Sequence, residues 1–298
     1  MAKVPQQIFY RLATKNDMPQ LQALVNAHYA RKKNLKYFEW QFFDSFYPTI
    51  CIVAENKGRI IGMFGLQRRT LNNGVAVGHL IDLLVDKNCQ GRGIFKTMGE
   101  MALGHWRDVG AFTVLPNPSG RIASEKALGL KTIAKIDDWI LRDGPRSKGA
   151  TVSDRNAPNY IQYQTSQPYF QWRFEINPTY KYKKITVGSL GFAYTKKFTD
   201  PTTEETFVDI VDYSLGKSDA KSLASFWSQA IGQMANQGLK NISTWALPHT
   251  PLANILQAMG FERLPKQRYF CVKVSDSDLK HLLDITSWDL VQADAEIY

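Results

Sequence analysis

Apolar and polar positions divide the chain into short alternating runs and longer stretches of helical spacing. Ile8 to Ala13 reads as a short strand. An amphipathic helix follows, which Asn16 or Asp17 can cap and which carries Leu21, Leu24, Val25 and His28 on one face. Tyr37 to Phe46 is a second helical stretch, rich in aromatics, and it stops at Pro48. The strands Ile50 to Glu55 and Arg59 to Thr70 make a hairpin through the turn Asn56-Lys57-Gly58. After another turn at Leu71 to Gly74, Val75 to Val85 is a mostly apolar strand interrupted by His79 and Asp82. A glycine loop then leads into a helix from about Ile94 to Val109 and a strand from Ala111 to Leu115. Pro116-Asn117-Pro118 breaks the chain before a helix to Leu128 and a last strand from Thr132 to Arg142. Antiparallel hairpins therefore precede a strand, helix, strand unit.

The pattern then begins again. Gly144 to Asn159, with its Pro, Ser, Gly and Asn, has linker composition. Beyond it, Phe170-Gln171-Trp172-Arg173-Phe174 repeats Phe38-Glu39-Trp40-Gln41-Phe42, and Leu247-Pro248-His249 repeats Leu115-Pro116-Asn117. Ala258-Met259-Gly260-Phe261 likewise repeats Ala127-Leu128-Gly129-Leu130. Three landmarks in one register predict two homologous halves, with domains at 1–145 and 161–298 and a linker at 146–160. The halves differ at the glycine loop. The second half offers Asp212-Tyr213-Ser214-Leu215-Gly216-Lys217-Ser218-Asp219, with one glycine, before a helix ending near Gly238. It keeps the scaffold and loses the cradle.

Composition narrows the class. At 298 residues, 44% of them hydrophobic and 21% charged, the chain has the makeup of an ordinary globular protein with two cores. No apolar run approaches the roughly 20 residues of a membrane span, and the N-terminus lacks the apolar stretch of a signal peptide, so no membrane insertion and a cytoplasmic location are expected. Cys51, Cys89 and Cys271 are unclustered, which suggests neither a disulfide framework nor a zinc site; no metal is expected. The net charge of +10 is spread along the chain, in runs such as Arg31-Lys32-Lys33 and Lys181 to Lys184. That scatter favours anionic ligands in general, with nucleic acid not expected as a partner.

Gln90-Gly91-Arg92-Gly93-Ile94-Phe95 lies between the strand ending at Val85 and the following helix. A loop so placed aims several backbone N–H groups one way, with the positive end of a helix dipole behind them, and suits a diphosphate. Gly91 and Gly93 open the backbone to phosphate oxygens, and Arg92 adds charge. The spacing fits neither the dinucleotide fingerprint G-x-G-x-x-G nor the P-loop.

Gln90 and Gly93, preceded by D-L-L-V-D, resemble the acyl-CoA motif Q/R-x-x-G-x-G/A of the GNAT superfamily of N-acetyltransferases, with Phe95 at the last position. The element order, the P-N-P-S break at Pro116 to Ser119 and A-L-G-L before the last strand match as well, over Phe9 to about Arg142. The resemblance implies an α/β (α+β) chain of two tandem GNAT-like domains, the second degenerate, each a mixed, mostly antiparallel sheet flanked by helices. It implies acetyl-CoA or another acyl-CoA as co-substrate, held by Leu84, Val85, Gln90, Gly91, Arg92, Gly93, Ile94, Phe95, Asn117 and Ser119. Backbone N–H groups near Leu84 and Val85 would polarise the thioester carbonyl.

An amine nucleophile must shed a proton, and Asp82 and His79 are the candidate bases. Three residues apart on a strand, they are expected on opposite faces, so only one meets the cleft. The tyrosine that family members use as general acid is replaced here by Glu125, leaving Ser124 or Ser119 as substitutes. The implied activity is transfer of an acyl group to a primary amine of a small molecule, with the charge favouring a phosphorylated acceptor such as a nucleotide-linked amino sugar. Two other readings fit: an acyl-CoA-binding sensor without turnover, and an aminoacyl-tRNA-dependent transferase of Fem type.

Overall fold

A computed structural model describes residues 7–144, 159–199, 204–217 and 219–295. Most of the expected linker, 146–160, lies outside the described residues. In chain order the elements begin with β1 (Phe9–Leu12), α1 (Met18–His28), α2 (Leu35–Phe38), β2 (Thr49–Asn56), β3 (Arg59–Thr70) and β4 (Ala76–Val85). Next come α3 (Ile94–Leu103), β5 (Ala111–Val114), α4 (Pro118–Leu128), β6 (Lys131–Leu141) and α5 (Gln167–Phe170). The rest are β7 (Lys183–Val187), β8 (Gly191–Thr199), β9 (Thr206–Leu215), α6 (Ala220–Asn236), β10 (Ile242–Trp245), α7 (Pro251–Ala258) and β11 (Glu262–Val274).

The chain forms two compact units built from interleaved segments. The first contains Met1–Ile133, Tyr163–Thr179 and Tyr269–Leu283; the second contains Ala134–Gln162, Tyr180–Arg268 and Asp284–Tyr298. In the first, β1 to β4 run antiparallel in sequence order and β5 lies parallel to β4. The C-terminal end of β11 completes that sheet, with Cys271 opposite Val114 and Val274 opposite Ala111. In the second, β7, β8 and β9 form the matching antiparallel run, β10 lies parallel to β9, and β6 pairs antiparallel with β10. A strand from late in the sequence thus closes the early sheet, and most of β6 belongs to the second unit.

Each core follows from helical spacing. Ile94, Met98 and Ala102 put one face of α3 against Phe64, Leu66, Leu80 and Phe112 of the sheet. In α6 the stripe Leu223, Phe226, Trp227, Ala230, Ile231 and Met234 does the same over Val208 and Ile210. The helix expected at Ile94 to Val109 ends at Leu103, where Gly104 terminates it.

The repeated aromatic segments form a layer in the first unit. Each begins as one α-helical turn capped by a side chain, Asn34 accepting from the Tyr37 N–H and Ser166 from the Tyr169 N–H. Each then widens into a π-helical turn, Glu39–Phe43 and Gln171–Glu175, so the expected helix Tyr37 to Phe46 is shorter and irregular. Trp40 and Trp172 stack at 4.5 Å and 14°, and each indole N–H donates to the other's backbone carbonyl, at 2.9 and 3.3 Å. Repeated sequence has become reciprocal contact.

Candidate functional site

The site begins with a bulge in β4. Met63 pairs with Leu84 but Gly65 pairs with Ile81, so Asp82 and Leu83 together oppose Phe64. Asp82 adopts φ +44°, a left-handed conformation that aspartate tolerates better than most residues. Opposite the bulge only glycine fits at position 65, since a Cβ there would lie 2.6 Å from Ile81 Cγ1 and 2.9 Å from the Phe42 ring. The extra residue resets the alternation. Leu80, Leu83 and Val85 all pack on the α3 side, a three-residue step that a regular strand forbids.

His79 and Asp82 consequently share a face, which corrects the expectation that they lie on opposite ones. Both meet the aromatic layer. Tyr37 Oη donates to Asp82 Oδ2 at 2.9 Å, and the rings continue from Tyr37 through Trp40, Trp172 and Tyr47. The Arg69 guanidinium sits 5.1 Å from both Tyr47 and Tyr163, and Tyr163 packs on His79.

The two candidate bases have different surroundings. His79 is fully buried; its Nδ1 lies 2.9 Å from Thr113 Oγ1 and 3.1 Å from Tyr163 Oη, and its Nε2 has no hydrogen-bond partner among the described residues. Burial, with Arg69 and Arg173 nearby, holds its pKa well below the ordinary value, so the ring is neutral. Asp82 is half-buried. Burial raises its pKa, opposed by the Lys33 ammonium and the Tyr37 hydroxyl. A carboxylate whose pKa is raised above 3.8 is a better proton acceptor than an ordinary one.

Beyond the bulge β4 parts from β5. The two pair only from Val77 to His79, opposite Ala111 to Thr113, so Leu84 and Val85 lie on a strand edge with no β5 partner. Asp86 then accepts from the Asn88 N–H, the Gln90 amide donates to the Val85 carbonyl at 3.1 Å, and Arg92 reaches the Asn88 carbonyl at 3.3 Å. Gly91 and Gly93 adopt φ +76° and +78°, and neither has an atom within 4 Å of where a Cβ would stand. Gly93 is the N-cap of α3 and supplies no side-chain acceptor. The Thr97 N–H makes the first intrahelical bond, to the Gly93 carbonyl, which leaves the N–H groups of Ile94, Phe95 and Lys96 without an intrahelical acceptor. Gln90, Gly91, Arg92 and Gly93 are all exposed. Ile94 itself is buried, and Phe95 turns away from the loop to pack on Phe64 at 5.5 Å, so its bulk leaves the opening clear.

The second unit is built differently at this point. Its β9 carries a matching bulge, with Tyr194 opposite Asp212 and Thr195 opposite Ile210. But α6 is N-capped by Asp219, whose carboxylate accepts from the Ser222 N–H at 2.8 Å and the Ser222 hydroxyl at 2.7 Å. A carboxylate already fills the place of an anion. Charge is divided in the same sense: the first unit has 21 Lys and Arg against 12 Asp and Glu, net +9, and the second has 16 against 15, net +1.

The remaining expected residues lie on α4. Asn117 caps it by accepting from the Gly120 N–H at 2.8 Å, and Ser119 is exposed in its first turn. Ser124 is fully buried, its hydroxyl without a partner. Glu125 is held by the Thr132 hydroxyl at 2.6 Å and by Arg121 at 3.1 Å. Three residues that sequence reasoning did not place at the site touch it. Tyr37 and Lys33 flank Asp82, and His28 accepts from the Lys87 N–H at 3.2 Å beside the glycine loop. Tyr37 reads as core in an aromatic stretch, and nothing in the spacing of Lys33 or His28 points to β4.

Residues 9–121 match the family described as Acetyltransferase (GNAT) domain. That match lies wholly within the first unit. No curated protein matches the chain in sequence. Among solved structures, the chain resembles a GCN5-related N-acetyltransferase from Anabaena variabilis, at TM-score 0.65 and 11% identity over 91% of this chain and 73% of that one. It also resembles a tandem GNAT protein from the clavulanic acid biosynthesis pathway, at TM-score 0.51 and 15% identity over 91% and 99%. A third is a glucosamine N-acetyltransferase region of a fungal multi-domain β-N-acetylglucosaminidase, at TM-score 0.54 and 12% identity over 90% and 38%. The chain thus has the GNAT fold, in a two-domain form. That fold supports acyl transfer from acyl-CoA in general, and the matched region holds the strands that part and the uncapped helix.

Proposed function

We propose that the chain is an acyl-CoA-dependent N-acyltransferase with one donor site, in the first unit. The observation that carries this reading is the uncapped N-terminus of α3, open at Gly91 and Gly93, at the end of a strand that has left its neighbour. The N–H groups of residues 94 to 96, with Arg92, would hold the diphosphate; Leu84 and Val85 present strand edge to the pantetheine arm, and Asn117 and Ser119 lie at the start of α4. When bound, acyl-CoA supplies an activated acyl group as a thioester. Asp82 takes the proton of the attacking amine, and Tyr37 orients its carboxylate.

The acceptor we propose is a primary amine on a small molecule, with an amino sugar as the leading class. The net charge of +9 in the first unit supports a phosphorylated one. Titration calorimetry with CoA, followed by thiol release from acetyl-CoA against amines that include amino sugars and their phosphates, tests the reading. Micromolar CoA binding and acceptor-dependent thiol release are expected. Binding without release across the panel would leave a sensor, an outcome that the engagement of Glu125 by Arg121 and Thr132 would accommodate.

A further inference from the structure

Lys33 differs from the other basic residues of its run. Its backbone is clamped to α1: the Lys33 N–H donates to Asn26 Oδ1 at 2.7 Å, and the Lys33 carbonyl accepts from the amides of Gln22 and Asn26, both at 2.9 Å. Three hydrogen bonds thereby fix where the side chain starts. The ammonium ends 3.8 Å from the centroid of the Tyr37 ring, inside cation–π range, and the same Tyr37 donates to Asp82. The Lys33 ammonium also acts on Asp82, lowering the pKa that burial raises. Arg31 and Lys32, by contrast, are exposed, and Lys32 bonds to carbonyls of its own helix end. A primary alkylamine is thus held on the ring of the tyrosine whose hydroxyl bonds Asp82.

We propose that Lys33 is a self-acylation site, an inference that rests on the reading of the first unit as an acyl-CoA site. Asp82 takes a proton from the Lys33 ammonium, and the neutral Nζ forms a C–N bond to the thioester carbonyl carbon. The C–S bond breaks, and its electron pair leaves with the thiolate of coenzyme A. The second proton lost from nitrogen neutralises that thiolate, giving free thiol and an Nε-acyl-lysine, with no oxidant or reductant needed. The product is a stable amide, so each chain reacts once.

Full-length protein incubated with acetyl-CoA and digested for mass spectrometry is expected to gain one acetyl group on Lys33. The rate constant should not depend on protein concentration, and labelling should outpace that of Lys32 and Lys36 at least tenfold. D82N should slow it at least tenfold, and K33R should remove the label while binding CoA. Equal labelling of Lys32, Lys33 and Lys36, or a rate unchanged in D82N, would overturn the proposal by showing ordinary chemical acetylation. An unlabelled Lys33 in protein that binds CoA and acetylates another amine would overturn it alone; absence of CoA binding would overturn it together with the donor site.

Discussion

Replacing Gly93 by aspartate should abolish CoA binding while the protein stays folded. At φ +78° an aspartate costs about 1 kcal/mol in backbone strain, and the empty space around the position means no clash is added. The carboxylate would stand at the mouth of three N–H groups that now have no intrahelical acceptor. At about 5 Å from a phosphate charge, repulsion at an effective dielectric between 80 and 20 is about 1–3 kcal/mol. Losing one charge-assisted hydrogen bond adds about 1.5–3 kcal/mol. Together these predict a loss of about 3–5 kcal/mol, roughly a two- to three-and-a-half-decade rise in Kd. Asp219 at the start of α6 is the natural counterpart of that substitution. Titration calorimetry of wild type, Gly93→Asp and Gly93→Ala with CoA, at two salt concentrations, measures it. The alanine variant carries the strain without the charge and should lose less than tenfold. A Gly93→Asp protein with wild-type circular dichroism and a Kd within threefold of wild type would refute the placement of the diphosphate at α3.

Other expectations follow from individual contacts. Asp82→Asn should lower kcat by about 10²–10³ at neutral pH, as removal of a general base does, and wild-type kcat should rise with pH through an apparent pKa above 3.8; an unchanged pH profile in the variant would exclude Asp82 as the base. Asp289, buried and bonded to the Gln162 amide, has its pKa pushed up to about 6. Because the folded value lies above the unfolded one, its contribution is complete below about pH 4 and is lost as pH rises through 6. Asp289→Asn should therefore stabilise by up to about 3 kcal/mol at pH 7.5 and by almost nothing at pH 4, read from urea melts at both values. Trp40→Ala should cost about 3–5 kcal/mol in the same assay, since it empties a buried stacking site and removes the indole donor to Trp172; a loss under 1 kcal/mol would show the stack to be dispensable.

Much of the architecture was legible in the sequence because it depends on spacing along the chain. Apolar runs over Ile50 to Glu55 and Arg59 to Thr70 around the turn Asn56-Lys57-Gly58 marked the hairpin, Gly91 and Gly93 marked the open loop, and the paired F-x-W-x-F segments marked the repeat. The asymmetry between the halves was equally local, since the difference between Gly93 and Asp219 at two helix starts is written in single residues. Chemistry at an exposed backbone turn needs no distant partner, and a sequence can state it.

Tertiary structure decided what depends on pairing between distant residues. A strand has period two only until a bulge inserts a residue, and the bulge at Asp82 is visible only from its partner Phe64; hence His79 and Asp82 share a face. Burial separated the two candidate bases, leaving His79 neutral in the core and Asp82 beside Tyr37 and Lys33, residues more than 40 positions away. The assignment of β11 to the first sheet is of the same kind, because apolar alternation specifies that a strand is buried without specifying which neighbour buries it. Local sequence set the elements and the open glycine loop; only packing set which side chains meet Asp82.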